Sequence, residues 1–283
     1  KENFMRNLDI ETLYTLIDNF LKTLEHKEDI RTEMSDAEVI VTYISAFFYH
    51  AGNYSKTLAL LKQNKTINKV LSRSRFSRRI NRLEPIIMQI FWLISEFMKQ
   101  DCDIFQIDSF PVKVCHNIRI SRSRIIKGEE YRGKNASKRE YFYGFKVHVI
   151  TSNKGGIVEF NFTVASAHDS VAFDIMEFDL PKESDLFSDS AYNTYYMEDI
   201  LKESLSINLK PVRKNNSKKE DIGFNWYRQM KRKPIETIFS VLTRLFQYKI
   251  HATSVNSFIF KLKGFLFTYN FLAFCSFFDI LAT

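Results

Sequence analysis

The hydrophobic period of this chain changes near residue 101, and that change limits the fold more than any bulk property does. Before it, apolar residues recur at helical spacing. Ser35-Asp36-Ala37-Glu38 has the form of a capping box and opens the apolar set Val39, Ile40, Tyr43, Ile44 and Phe47. Two further helical stretches follow, over 56–62 and 72–83. In the second, Phe76, Ile80 and Leu83 form a narrow apolar stripe while arginines cover the rest. A short helix followed by a basic helix is compatible with a helix-turn-helix reader of the major groove. It is equally compatible with a helical bundle that has one basic face.

After residue 101 the pattern alternates. Ile104, Gln106 and Asp108 interleave with Asp103, Phe105 and Ile107, which predicts a strand stopped by Pro111. Residues 143–151 and 157–165 are β-rich and flank Ser152-Asn153-Lys154-Gly155-Gly156, so they predict a hairpin. His168-Asp169-Ser170 offers a helix start with Asp169 as the N-cap. Residues 186–188 read as a short buried strand, Asn193 or Thr194 as a helix cap, and 207–209 as the last strand. Residues 211–225 are polar and basic and read as a loop. Pro234 fits the first position of a helix whose face carries Ile235, Ile238, Phe239, Leu242, Leu245 and Phe246. The tract after Asn256 is too apolar to be exposed and reads as a helix on the core. The class is therefore α/β, a mixed sheet flanked by helices with an α-helical N-terminal region. The division expected is 1–100 for the helical region, a candidate DNA-binding part, and 101–283 for the sheet domain with its C-terminal helix.

Three acids stand out in this frame. Asp108 and Asp189 each end a short apolar run, and Glu236 opens an apolar helix. Singly, each has an ordinary explanation: turn chemistry, hydrogen bonds to backbone amides, and a charge answering a helix dipole. Jointly they point elsewhere. Ligand crevices in α/β sheets lie at the carboxyl ends of strands, and carboxylates gathered from distant elements hold divalent ions against phosphate oxygens.

Charge says whose phosphates these are. Residues 62–82, 109–140 and 210–233 together carry +21, so the remainder of a chain with net charge +8 carries −13. One basic run is usually a solvated face. Three in an otherwise acidic protein favour a polyanionic partner. Cys102, Cys115 and Cys275 form no CxxC pair or zinc spacing and read as reduced thiols of a cytoplasmic protein. The uncharged stretch 265–278 is shorter than a membrane span.

The order strand-Asp, hairpin, helix, strand-Asp, helix, strand, helix-Glu is that of the ribonuclease H-like fold. The strings IDSFPV, GEEYRGKNASKREYFYGFKVHVI, ASAHDS, FSDSAYN and RKPIETIFS resemble the DDE transposases of bacterial insertion sequences, over roughly residues 100–275. The resemblance implies that Asp108, Asp189 and Glu236 are a metal-binding triad for two Mg²⁺ or Mn²⁺ ions, with His168 and Asp169 adjacent to the site. It implies strand cleavage at element ends and transfer to target DNA, by a homodimer or larger assembly on DNA at the bacterial nucleoid. A nuclease without strand transfer and a non-enzymatic DNA-binding derivative are the alternatives. Lys113, Arg119, Arg122, Arg124, Arg213 and Lys214 are the expected phosphate contacts. Relatives carry Tyr, Arg, Glu and Lys at fixed spacing on the last helix. Here Arg232 and Glu236 keep their step, Gln229 stands at the Tyr position, and Arg244 follows the Lys position. Arg232, Arg244 and Tyr227 are then the expected contacts to DNA ends.

Overall fold

The computed structural model describes residues 10–64, 67, 69–135, 139–192, 194–213, 217, 222–245 and 250–278. The chain forms two compact units. One is built from the helices before Ser95 and the last helix, and the other runs from Ser95 to Thr243.

The helical unit holds α1 (Ile10–Thr23), α2 (Asp36–His50), α3 (Tyr54–Asn64), α4 (Arg73–Arg82), the start of α5 (Glu84–Lys99) and, from the far end of the chain, α9 (Val255–Phe277). The capping box at α2 forms. Ser35 Oγ accepts the Glu38 N–H at 3.1 Å and Glu38 Oε2 accepts the Ser35 N–H at 2.7 Å. α2 is buried on nearly every side, so it needs partners all round. α9 is one of them. Tyr43 Oη donates to the Phe260 carbonyl at 3.1 Å, and the Phe47 and Phe265 rings meet edge to face at 4.6 Å. The contact requires Gly264, where a Cβ would stand 2.4 Å from both Phe47 and Tyr43. By length and composition α9 is apolar enough to cross a bilayer, but 83% of its apolar window is buried. The sequence pattern assigns α9 to the sheet domain; α2, apolar all round, draws it into the helical unit instead.

α4 buries Phe76 and Ile80 as the stripe predicts. Its Arg79 does not face solvent with the others. It bonds Asp36 at 2.7 Å and Glu28 at 2.9 Å, closing the gap between α4 and the start of α2.

The sheet unit is organised by β1 (Ile104–Cys115), which pairs antiparallel with β3 (Glu140–Ser152) and parallel with β5 (Asp185–Ser188). β3 also pairs with β4 (Ile157–Val164), and β6 (Asn208–Pro211) lies parallel to β5. β3 and β4 are the predicted hairpin, with Gly155 supplying the left-handed φ of +86° at the turn. Across the sheet the order is β4-β3-β1-β5-β6, antiparallel on one side of β1 and parallel on the other. α6 (Ala172–Ile175) follows β4, α7 (Tyr195–Leu205) connects β5 to β6, and α8 (Asn225–Leu245) closes the unit. This is the ribonuclease H-like arrangement.

Three sequence expectations are corrected. β1 does not stop at Pro111. It runs on to Cys115, because β5 pairs only as far as Ile107↔Ser188 and leaves the edge beside Pro111 without a strand among the described residues. A short strand, β2 (Arg132–Asn135), joins the start of β3 within a stretch whose sequence shows only basic character. α8 begins at Asn225, so Pro234 is nine residues inside it and not at its first turn. The carbonyl that Pro234 leaves unbonded belongs to Met230, which is half exposed, so water can take the missing bond.

Candidate active site

Register brings the first two acids together. Ile107 pairs with Ser188 across the parallel strands β1 and β5, so the next residues, Asp108 and Asp189, are neighbours at one end of the sheet. Adjacent strands lie about 4.8 Å apart. Side chains alternate between faces along each strand, and the pairing Gln106↔Phe187 fixes the parity. Asp108, Phe110, Phe187 and Asp189 therefore share one face.

α8 lies on that face. Phe110 meets Phe239 at 5.0 Å and Phe187 meets Tyr227 at 5.9 Å. Between these two anchors α8 carries Arg232 and Glu236, one helical turn apart. Arg232 Nη1 donates to Asp108 Oδ2 at 2.6 Å, and its Nη2 reaches Glu236 Oε1 at 3.4 Å. Glu236 is thus linked to Asp108 through a guanidinium. Its own side chain is 60% exposed, against 18% for Asp108.

The electrostatics follow from burial. Loss of water pushes the Asp108 carboxyl up from 3.8 to about 6, and the charges of Asp189 and Asp169 push the same way. Arg232 and the Ser109 N–H, which donates to Asp108 Oδ1 at 2.7 Å, pull it back only in part. Asp189 accepts the Ser190 N–H at the start of a 3₁₀ turn over Ser190–Tyr192.

Ser109 points to the opposite face, where a second polar layer supports the strand. Its hydroxyl donates to Asp169 Oδ1 at 3.2 Å, and Lys146 Nζ donates to the same oxygen at 3.0 Å. His148 is fully buried there, with one ring nitrogen 2.8 Å from Tyr192 Oη and the other 2.9 Å from Thr163 Oγ1. Burial holds its pKa down at about 4. Lys146, His148 and Tyr192 carry no signal of their own in the sequence, because a buried polar layer on a strand looks like solvent-facing alternation. The roles expected of His168 and Asp169 are exchanged. His168 is the N-cap, its Nδ1 accepting the Ser170 N–H at 3.3 Å, and Asp169 turns inward toward Lys146 and Ser109.

Among the described residues no three His, Cys, Asp or Glu converge closely enough to hold an ion as they stand. The reason is visible in the site itself, where the Arg232 guanidinium occupies the space between Asp108 and Glu236. The donor set nevertheless suits a hard divalent cation. It consists of carboxylate oxygens, two of them in adjacent register and mutually repelling, and a positive group already stands among them.

The expected phosphate contacts divide. Arg119, Arg122 and Arg124 are exposed on and just after the 3₁₀ turn Asn117–Arg122. Lys113 is exposed and ion-paired with Glu140, and Arg244 is exposed at the end of α8. Arg213 is a correction. It is 5% exposed and grips both oxygens of buried Glu198, with its Nη2 at 2.8 Å, because the start of the loop is pinned beneath α7. Lys214 lies outside the described residues. Tyr227 packs on Phe187, with Lys231 5.4 Å from its ring centre.

A family model described as a transposase DDE domain matches residues 98–255, more than half of the chain. No curated protein and no solved structure matches it.

Proposed function

The chain belongs to the transposase DDE domain family, and from that premise we propose that it cleaves DNA strands at element ends and joins the freed 3′-hydroxyls to a target. DNA is the partner that this family implies. The observation that carries the reading is the register Ile107↔Ser188, which makes the next residues Asp108 and Asp189 neighbours, with Glu236 of α8 linked to Asp108 through Arg232.

Asp108, Asp189 and Glu236 would hold two Mg²⁺ or Mn²⁺ ions, which when bound neutralise the transferring phosphate and acidify the attacking oxygen. The chain's own groups do the rest. Asp108 has to be ionised to act as a ligand, and with its pKa at about 6 it is largely ionised above pH 7. Strand β1 fixes its backbone, and the Ser109 N–H fixes its carboxylate. Behind the strand, Asp169 accepts the Ser109 hydroxyl and is itself held by Lys146. Arg119, Arg122 and Arg124 follow β1 directly and would hold the DNA backbone without reading its sequence. Joining two ends calls for two chains at one complex, so the active form is a homodimer or a larger assembly on DNA.

The test is a labelled element end incubated with the protein and Mn²⁺. Nicking followed by covalent joining to an unlabelled target supports the proposal. Nicking without joining indicates a nuclease on the same fold, and binding without either product indicates a DNA-binding derivative.

A further inference from the structure

Arg232 stands inside the acid site. Its side chain is 20% exposed. It holds Asp108 with one short bond of 2.6 Å and Glu236 with one long contact of 3.4 Å. Its Nε is buried and donates to nothing among the described residues. Lys231 on the preceding position is drawn off over the Tyr227 ring. Among the described residues Arg232 is therefore the one side-chain cation hydrogen-bonded to Asp108 or Glu236.

A guanidinium offers five donors in a rigid fork. Here the fork is only partly matched, since one arm is short, one is long and Nε is left over. Such a group is strongly attracted to the site as charge but poorly satisfied as geometry. A divalent cation would need the same Asp108 oxygen that Arg232 now bonds. Both cations cannot take that oxygen at full strength, and two positive groups held against the same carboxylate repel each other.

We infer that Arg232 is a built-in counter-cation, which closes the unloaded site by bridging Asp108 and Glu236 and must leave Asp108 for a divalent ion to enter. The inference rests on reading these acids as the metal site. It makes ion loading a competition. Without DNA the ion has to displace the guanidinium. With DNA bound, the withdrawn guanidinium has an anionic phosphate to receive it, so ion and DNA should favour each other's binding.

The experiment measures Mn²⁺ binding to the full chain without DNA, by calorimetry and by the electron-spin-resonance signal of free Mn²⁺. Wild type is compared with R232Q, R232K and D189N. R232Q should bind Mn²⁺ at least about tenfold more tightly than wild type, and should melt lower without metal but gain more from adding it. R232K keeps the charge, is expected to fold even if R232Q does not, and lacks the planar fork that here spans Asp108 and Glu236, so its affinity should lie between the two. Mn²⁺ affinity in R232K, and in R232Q where it folds, that equals or falls below wild type overturns the inference and makes Arg232 a positioning residue for Glu236. A different result exposes the underlying reading. If wild type binds Mn²⁺ no better than D189N, these acids are not the metal site at all.

Discussion

Asn at position 108 should erase a pH dependence that the wild-type acid imposes on the unloaded protein. In the folded state burial raises the Asp108 pKa from 3.8 to about 6. One pKa unit corresponds to about 1.36 kcal/mol, so the difference amounts to about 3 kcal/mol. The sign is opposite to that of a salt-bridged carboxylate. Between pH 3.8 and about 6 the folded protein keeps a proton that the unfolded chain has released. Stability from this group is therefore fully present below 3.8 and is lost as pH rises through about 6.

The wild-type profile alone does not isolate this effect, because His148 works against it. Its folded pKa is lowered to about 4 from 6.5, so its contribution is present above 6.5 and is lost as pH falls through about 4. The difference between D108N and wild type removes His148 from the comparison. The change of that difference with pH is also free of any constant offset from breaking the Arg232 bond. In the presence of a chelator, that difference should move in favour of D108N by about 3 kcal/mol across the window, with roughly two thirds of it developing above about pH 4.5. For a unit the size of Ser95–Thr243 this is a shift of about 6–12 °C in melting temperature. Urea unfolding at half-unit pH steps measures it. A difference that stays flat with pH, or that moves toward the wild type as pH rises, refutes the buried and repelled Asp108.

D189N should lose DNA nicking while keeping DNA affinity, and should gain less thermal stability from Mn²⁺ than wild type, as a melt run beside a nicking assay will register. Replacing Arg119, Arg122 and Arg124 together by Ala should weaken binding equally for element ends and unrelated DNA. The log-log salt slope should become shallower by about 0.9 for each phosphate that is no longer neutralised, and a weakening confined to one sequence would point instead to base readout. R213A should lower stability by about 3–5 kcal/mol, because Glu198 is left charged and buried, and E198L/R213M should recover much of that in the same denaturation assay. H148Q should flatten the acid limb between pH 6.5 and about 4 in equilibrium unfolding, whereas an unchanged limb would mean that this histidine is not held neutral.

The parts of the fold legible in the sequence are those in which one local rule acts unopposed. The capping box at Ser35, the glycine turn between β3 and β4 and the apolar face of α8 each follow from residues within a few positions. Among the expectations that failed, those at proline and at a short polar strand show where partners distant in sequence decide. Pro111 reads as a strand stop because proline removes a ladder bond, yet it is harmless on an edge that β5 has already left. Pro234 reads as a helix start because that is where its missing donor is cheapest. The anchors at Phe187 for Tyr227 and at Phe110 for Phe239 outweigh it and carry the helix straight through. β2 has no hydrophobic pattern of its own and exists because β3 offers it an edge.

The acids are legible for a different reason from the basic residues. A carboxylate at the end of an apolar run has few local uses, so three of them in one fold point to a shared site. Arginines have many uses, and a count of positive charge treats them all as surface. The structure removes Arg79 to an ion pair with Glu28 and Asp36, Arg213 to Glu198, and Arg232 to the acids themselves. The basic tracts therefore overstate the surface available to DNA, and the salt slope should report fewer phosphate contacts than the tracts have basic residues. What distinguishes the internal arginines is a carboxylate supplied by another element: the start of α2 for Arg79, α7 for Arg213 and β1 for Arg232. That pairing is a property of the fold. Of the three, only Arg232 binds an acid that the proposed chemistry needs free, which is why its partner and not its charge decides what it does.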